Sequence, residues 1–153
     1  MKDLLLDIKP KSGLGPLTFG SEYNTLIEYL GKPEDLETLE DEDEFSTLVL
    51  NYWDHRITVF LEGIEKQTIS CFEIENDKAL LYGHWAFNLK EEDVVRIMQE
   101  AGFSQLDIAD EEWGERRVSF EDAMTDFFFD KEDKLISVNW GVYVNDQGEV
   151  EDI

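Results

Sequence analysis

Two segments of the chain carry apolar side chains at helical spacing. The first reads "LTFGSEYNTLIEYLG" around Phe19 and the second "WAFNLKEEDVVRIMQ" around Phe87. Leu26, Ile27 and Leu30, and again Val94, Val95 and Met98, fall on one stripe at i, i+3 and i+4, which predicts two amphipathic helices facing a core. Gly20 and Asn88 are the expected N-caps, with Glu91 completing a capping-box variant, and Gly31 and Gly102 are the expected stops. Elsewhere the pattern changes to alternation. In "RITVFLE", Ile57, Val59 and Leu61 form one apolar row and leave Thr58, Phe60 and Glu62 on the opposite face. In the same way Thr125, Phe127 and Phe129 face inward while Asp126, Phe128 and Asp130 face out. Both stretches read as hairpins turning at an aspartate, Asp54 and Asp122.

These elements recur in order. Phe19 aligns with Phe87, Leu26–Ile27 with Val94–Val95 and Leu30 with Met98, all at an offset of 68 residues. The hairpin "NYWDHRITVFLE" meets "SFEDAMTDFFFD" at the same offset, and "TIS" at 68–70 meets "LIS" at 135–137 at an offset of 67. "ALLYGHW" at 79–85 reads as a fourth strand of the first copy and "VYVNDQGEV" closes the second. "KPEDLETLEDEDE" and "DIADEEWGE" read as acidic linkers. The expectation is an α+β fold: one compact domain over 1–153 built of two tandem helix-plus-antiparallel-meander repeats, approximately 13–82 and 83–148. A unit of this size buries too little core alone, so the two are expected to form a shared sheet with helices on one face.

Composition narrows the partners. The 153 residues are 42% hydrophobic and 12% aromatic, enough for a core, and 13 basic against 37 acidic residues leave a net charge of −24. Such a charge repels phosphate backbones and anionic lipid, excluding direct nucleic-acid and membrane binding, and attracts a basic protein. "MKDLLLDIKP" is too short and too charged for a signal or membrane segment, and the lone Cys71 suits a reducing compartment, so a cytoplasmic location is expected.

Chemical motifs are sparse. "GLGPLTFG" before the first helix resembles a phosphate-binding loop, yet it fits no established spacing, and the second copy, "GHWAFNL", retains only Gly83. It reads better as a turn into a repeated helix. Cys71, in "TISCFEI", reads as a buried structural thiol. His55 in "WDHR" is expected to be exposed and His84 in "YGHW" to be packed or hydrogen-bonded. No nucleophile elbow, zinc motif or calcium loop occurs. No catalytic residue, cofactor or metal is expected.

What remains is surface. The outward rows bring Trp53, Phe60, Glu62, Arg117, Asp126 and Phe128 together with Asn51 and Ser119, aromatic anchors in a polar surround, which is the composition of an interface. The other reading of the same side chains is a second small core under a linker or terminus. Eight acidic residues lie between Glu34 and Glu44, and among them Asp41, Glu42, Asp43 and Glu44 either steer a basic partner or are simply solvated.

The Phe-Gly before the first helix, the "LGKP" of Leu30 to Pro33 after it, and the tandem helix-and-sheet order resemble the beta-lactamase inhibitor protein architecture. In that family a concave sheet surface grips a protein target, which implies a binding module here, although the family's paired cysteines are absent. In size and acidity the chain is also similar to immunity proteins that neutralise bacterial toxins. The function expected is non-enzymatic: an immunity or inhibitor protein that masks a basic target. The alternatives are a DNA mimic that inhibits a DNA-binding enzyme, or a small-molecule binder or enzyme with a deep pocket.

Overall fold

The structure is a computed structural model that describes residues 4–40 and 46–151. Among the described residues, thirteen strands and two α-helices make a mixed α+β fold. In chain order they are β1 (Asp7–Lys9), β2 (Gly13–Leu14), β3 (Leu17–Thr18), α1 (Tyr23–Leu30), β4 (Asp35–Glu40), β5 (Ser46–Tyr52), β6 (Ile57–Gly63), β7 (Thr68–Ile74), β8 (Leu80–Leu81), β9 (His84–Trp85), α2 (Glu91–Glu100), β10 (Leu106–Asp110), β11 (Arg116–Phe120), β12 (Thr125–Phe129) and β13 (Leu135–Gly141).

Eight strands form one antiparallel sheet in the order β10-β11-β12-β13-β7-β6-β5-β4. Two four-stranded meanders therefore meet at their last strands, β7 and β13. A second, smaller sheet was not expected: β1, β2, β3, β8 and β9 assemble separately in the order β3-β2-β1-β8-β9. "ALLYGHW" accordingly does not extend the first meander but folds as the β8–β9 hairpin, with β8 parallel to β1.

The acidic "linkers" are a second correction. Residues Asp35–Glu40 and Leu106–Asp110 are β4 and β10, the two edges of the large sheet. An edge strand buries little on either face, so charge is tolerated at almost every position, and it discourages pairing with another sheet.

The inward rows make the core. Leu50, Tyr52, Val59, Phe72, Val118, Phe127 and Trp140 of the large sheet share one hydrophobic cluster with Leu26 and Leu30 of α1, with Val94, Ile97 and Met98 of α2, and with Ile8, Leu14, Leu17 and Leu81 of the small sheet. Phe19, the residue before Gly20, packs on Phe72 with ring centroids 5.5 Å apart, and Phe72 packs on Trp140 at 5.5 Å. Helix α1 is held at both ends. Before it, Gly20 N–H donates to the Ile69 carbonyl and Ile69 N–H to the Ser21 carbonyl, each at 2.9 Å. After it, Tyr52 donates its hydroxyl to the Gly31 carbonyl at 2.8 Å.

The helix starts differ from expectation. The N-cap of α1 is Glu22 rather than Gly20, and that of α2 is Lys90 rather than Asn88, which ends a short 3-10 turn over Ala86–Asn88. Lys90 N–H donates to Asp93 Oδ2 at 3.1 Å, so the reciprocal contact expected of Glu91 comes from Asp93. Glu91 instead accepts from Arg116 Nε at 2.5 Å and ties α2 to β11. Both stops hold, with Gly31 at φ 71° and Gly102 at φ 99°.

Candidate functional site

Antiparallel pairing sets residues of successive strands side by side, and because side chains alternate, one register row stays on one face. One such row crosses the outer face of the large sheet from edge to edge: Asp35, Asn51, Thr58, Glu73, Asn139, Asp126, Ser119 and Asp107. All eight are polar. Thr58 Oγ1 donates to Asn51 Oδ1 at 3.2 Å, and Asn51 Nδ2 donates to Asp35 Oδ2 at 3.0 Å.

Two rows carrying an aromatic side chain each flank this ladder on opposite sides. Val49, Phe60 and Cys71 pair across β5, β6 and β7 in one neighbouring row. Arg117 and Phe128 pair across β11 and β12 in the other. Phe60 and Phe128 are half-buried and belong neither to the core cluster nor to the side chains packed against it. They stand three strands apart and two residues to either side of the ladder, a diagonal of about 20 Å on ordinary sheet spacings.

Five of the six expected contact residues, Phe60, Glu62, Arg117, Asp126 and Phe128, thus share this face. Trp53 does not. Strand β5 ends at Tyr52, and Trp53 is 63% exposed in the following turn. It reaches the rim, lining a recess of about 220 Å³ with Thr58 and Glu73. The steering residues Asp41, Glu42, Asp43 and Glu44 lie outside the described residues.

Two buried polar atoms of this face lack hydrogen-bond partners. Glu111 comes within 3.6 Å of Arg117 Nε, too far for a hydrogen bond, and that buried Nε is left without an acceptor. Asn139 Oδ1 is likewise buried and accepts no hydrogen bond. Glu62 accepts from Ser70 Oγ at 2.5 Å. Burial, with Glu75 nearby, holds the Glu73 carboxyl above the usual range. Cys71 lies on this face and not in the core, and burial first, then Glu73, Glu62 and Asp126, push its thiol up to about 12. It stays protonated at neutral pH and is a poor nucleophile.

Among the described residues no group of three or more His, Cys, Asp or Glu side chains is placed to hold a metal ion. His55 is exposed, as expected, whereas His84 is exposed on β9 instead of packed. No helix of the described residues is long and apolar enough to cross a membrane. The chain matches no family model, no curated protein and no solved structure.

Several residues of the face escaped the sequence reading. Glu73 and Asn139 lie in "TISCFEI" and "LISVNW", where serine and cysteine blur the alternation and a register shift after Phe60 resets its parity. Tyr143 follows the last strand and is 60% exposed beside Asp126, where no periodicity marks it. Trp85 and Trp113 are also exposed, at 56% and 66%, and neither is on the ladder.

Proposed function

We propose that the outer face of the eight-stranded sheet docks a basic protein, and that the chain is a non-enzymatic binding module masking its target in the manner of an immunity or inhibitor protein. The observation that carries this reading is the uninterrupted polar ladder, with carboxylates at Asp35, Glu73, Asp126 and Asp107, flanked by Phe60 and Phe128. Seven strand spacings by five residues span roughly 34 Å by 17 Å, about 600 Å² before side chains are counted, close to the ~800 Å² each partner contributes to a standard interface. A chain at −24 favours a cationic surface there.

The same reading takes the two halves as copies of one unit. The palindromic strand order supports it. So do the register shifts, which fall between Phe60 and Leu61 in one hairpin and between Phe128 and Phe129 in the other, 68 residues on.

The ladder carboxylates are two or three strands apart, roughly 10–14 Å, much wider than phosphates along a strand. Nucleic-acid mimicry gains no support from this spacing.

The test is capture of partners on immobilised full-length chain, with mass spectrometry and then affinity measurement. Phe60→Glu with Phe128→Glu is expected to weaken the partner more than tenfold, while Glu92→Lys on the exposed side of α2 leaves it within about twofold. Equal capture by all three proteins overturns the proposal.

A further inference from the structure

Between Asp126 and the start of the C-terminal segment the outer face is indented by a recess of about 340 Å³. Its walls include Glu62, Cys71, Met124, Asp126, Asn139 and Tyr143. Its charged side chains, Glu62 and Asp126, are both acidic, and its one buried polar atom without a partner is an acceptor. Asn139 Oδ1 is buried and accepts nothing. Asp126 lies beside it in the register, paired on β12 with Asn139 on β13. Tyr143, 60% exposed, borders the recess. No Lys or Arg lines this recess. Arg117 lines the neighbouring one, of about 480 Å³, which shares Met124, Asp126 and Tyr143 with it.

We infer that this recess is the socket for one basic side chain, lysine or arginine, presented by the protein docked on the sheet. A guanidinium or ammonium group carries only donors. Such a group pairs its charge with Asp126, beside Asn139 in the register, and lies against the Tyr143 ring, where cation and π-face attract. The methylene stem of the same side chain packs on Met124 and Cys71. An anion would meet Glu62 and Asp126, and a neutral group would leave Asp126 unpaired. The socket rests on the reading of the outer face as a docking surface, and supplies its specificity: the partner must present a basic residue opposite β12 and β13.

The probe is the peptide acetyl-Gly-Arg-Gly-amide, with acetyl-Gly-Gln-Gly-amide as its neutral counterpart, titrated into the full ¹⁵N-labelled chain. Saturable shifts are expected with the arginine peptide alone, largest at the Asn139 side-chain amide and at the backbone amides of Asp126 and Tyr143. Asp126→Asn should weaken this binding about tenfold, and Tyr143→Leu should weaken it as well; the first variant is isosteric and both sites are at the surface. Shifts spread evenly over the acidic surface, or binding unchanged by Asp126→Asn, overturn the socket. If the socket fails while Phe60→Glu with Phe128→Glu still releases the captured partner, the docking face stands without it. If those variants retain the partner, the docking face falls and the socket's role in it falls too.

Discussion

Trp140, in the middle of the large sheet, donates its indole N–H to the Gly13 carbonyl of the small sheet at 2.8 Å. The bond joins the two sheets across the core, between residues 127 positions apart, and both groups are buried. Trp140→Phe retains an aromatic ring against Phe72 but strands the Gly13 carbonyl and leaves a small void. The expected loss is about 3 kcal/mol, read as a lower urea midpoint with an unchanged slope.

The glycine-rich stretch before α1 has a measurable structural role. Gly15 has φ +55°, and a Cβ added there would lie 2.2 Å from the Leu5 carbonyl oxygen. Gly15→Ala must therefore push the chain before β1 away from the turn after β2. A loss of at least about 2 kcal/mol is expected, or a melting temperature lower by about 4–8 °C in a chain of this length. Gly83 is the control, with φ +83° and nothing within 4 Å. Gly83→Ala should cost only the backbone strain, about 1 kcal/mol.

These contrasts mark what the chain's pattern makes legible. The two helices are readable because each buries one face, and burial imposes a period on the residues; the turns at Asp54 and Asp122 are readable because the strands that follow them, β6 and β12, alternate buried and half-buried positions. Asp122 also fastens the chain between α2 and β10, accepting the Ser104 and Gln105 N–H groups at 2.8 and 3.2 Å. Strands β4 and β10 look like linkers in the sequence because an edge strand lacks the burial that creates a period. The small sheet was missed because β2, β3, β8 and β9 have two residues each, too few to show any alternation. On the outer face, strand parity found Phe60, Asp126 and Phe128, but Glu73 and Asn139 needed the register, which only pairing between the two meanders supplies.

Glu73 provides a pH test of that register. Its carboxyl is held above the usual range chiefly by burial, so the folded chain binds this proton more tightly than the unfolded chain does. The stabilising contribution is complete below the unfolded carboxylate range and is lost as pH rises through the folded value. Glu73→Gln stays neutral throughout. It should raise stability at about pH 7, and the gain should shrink to nothing as the solution approaches about pH 4. Urea midpoints of the two proteins across this range check the sign, and a gain that grows on acidification would contradict the burial of Glu73 on the ladder.

The edges of the large sheet make the last prediction. Strands β4 and β10 expose Leu36, Leu39 and Ile108 at 51%, 57% and 38%, and their backbones have no further strand to pair with. What opposes edge-to-edge association between copies is the like charge of Asp35 and Glu37 on one edge and Asp107 and Asp110 on the other. Glu37→Thr with Asp107→Thr removes one charge from each edge and inserts a residue that favours strands. Sedimentation velocity should then show self-association that rises with protein concentration and exceeds that of the parent chain. High salt should produce the same trend in the parent, because exposed charges are screened beyond about 8–10 Å at physiological ionic strength and over shorter distances above it. A double variant as monodisperse as its parent at every concentration would mean that the edges are protected by shape instead of by charge.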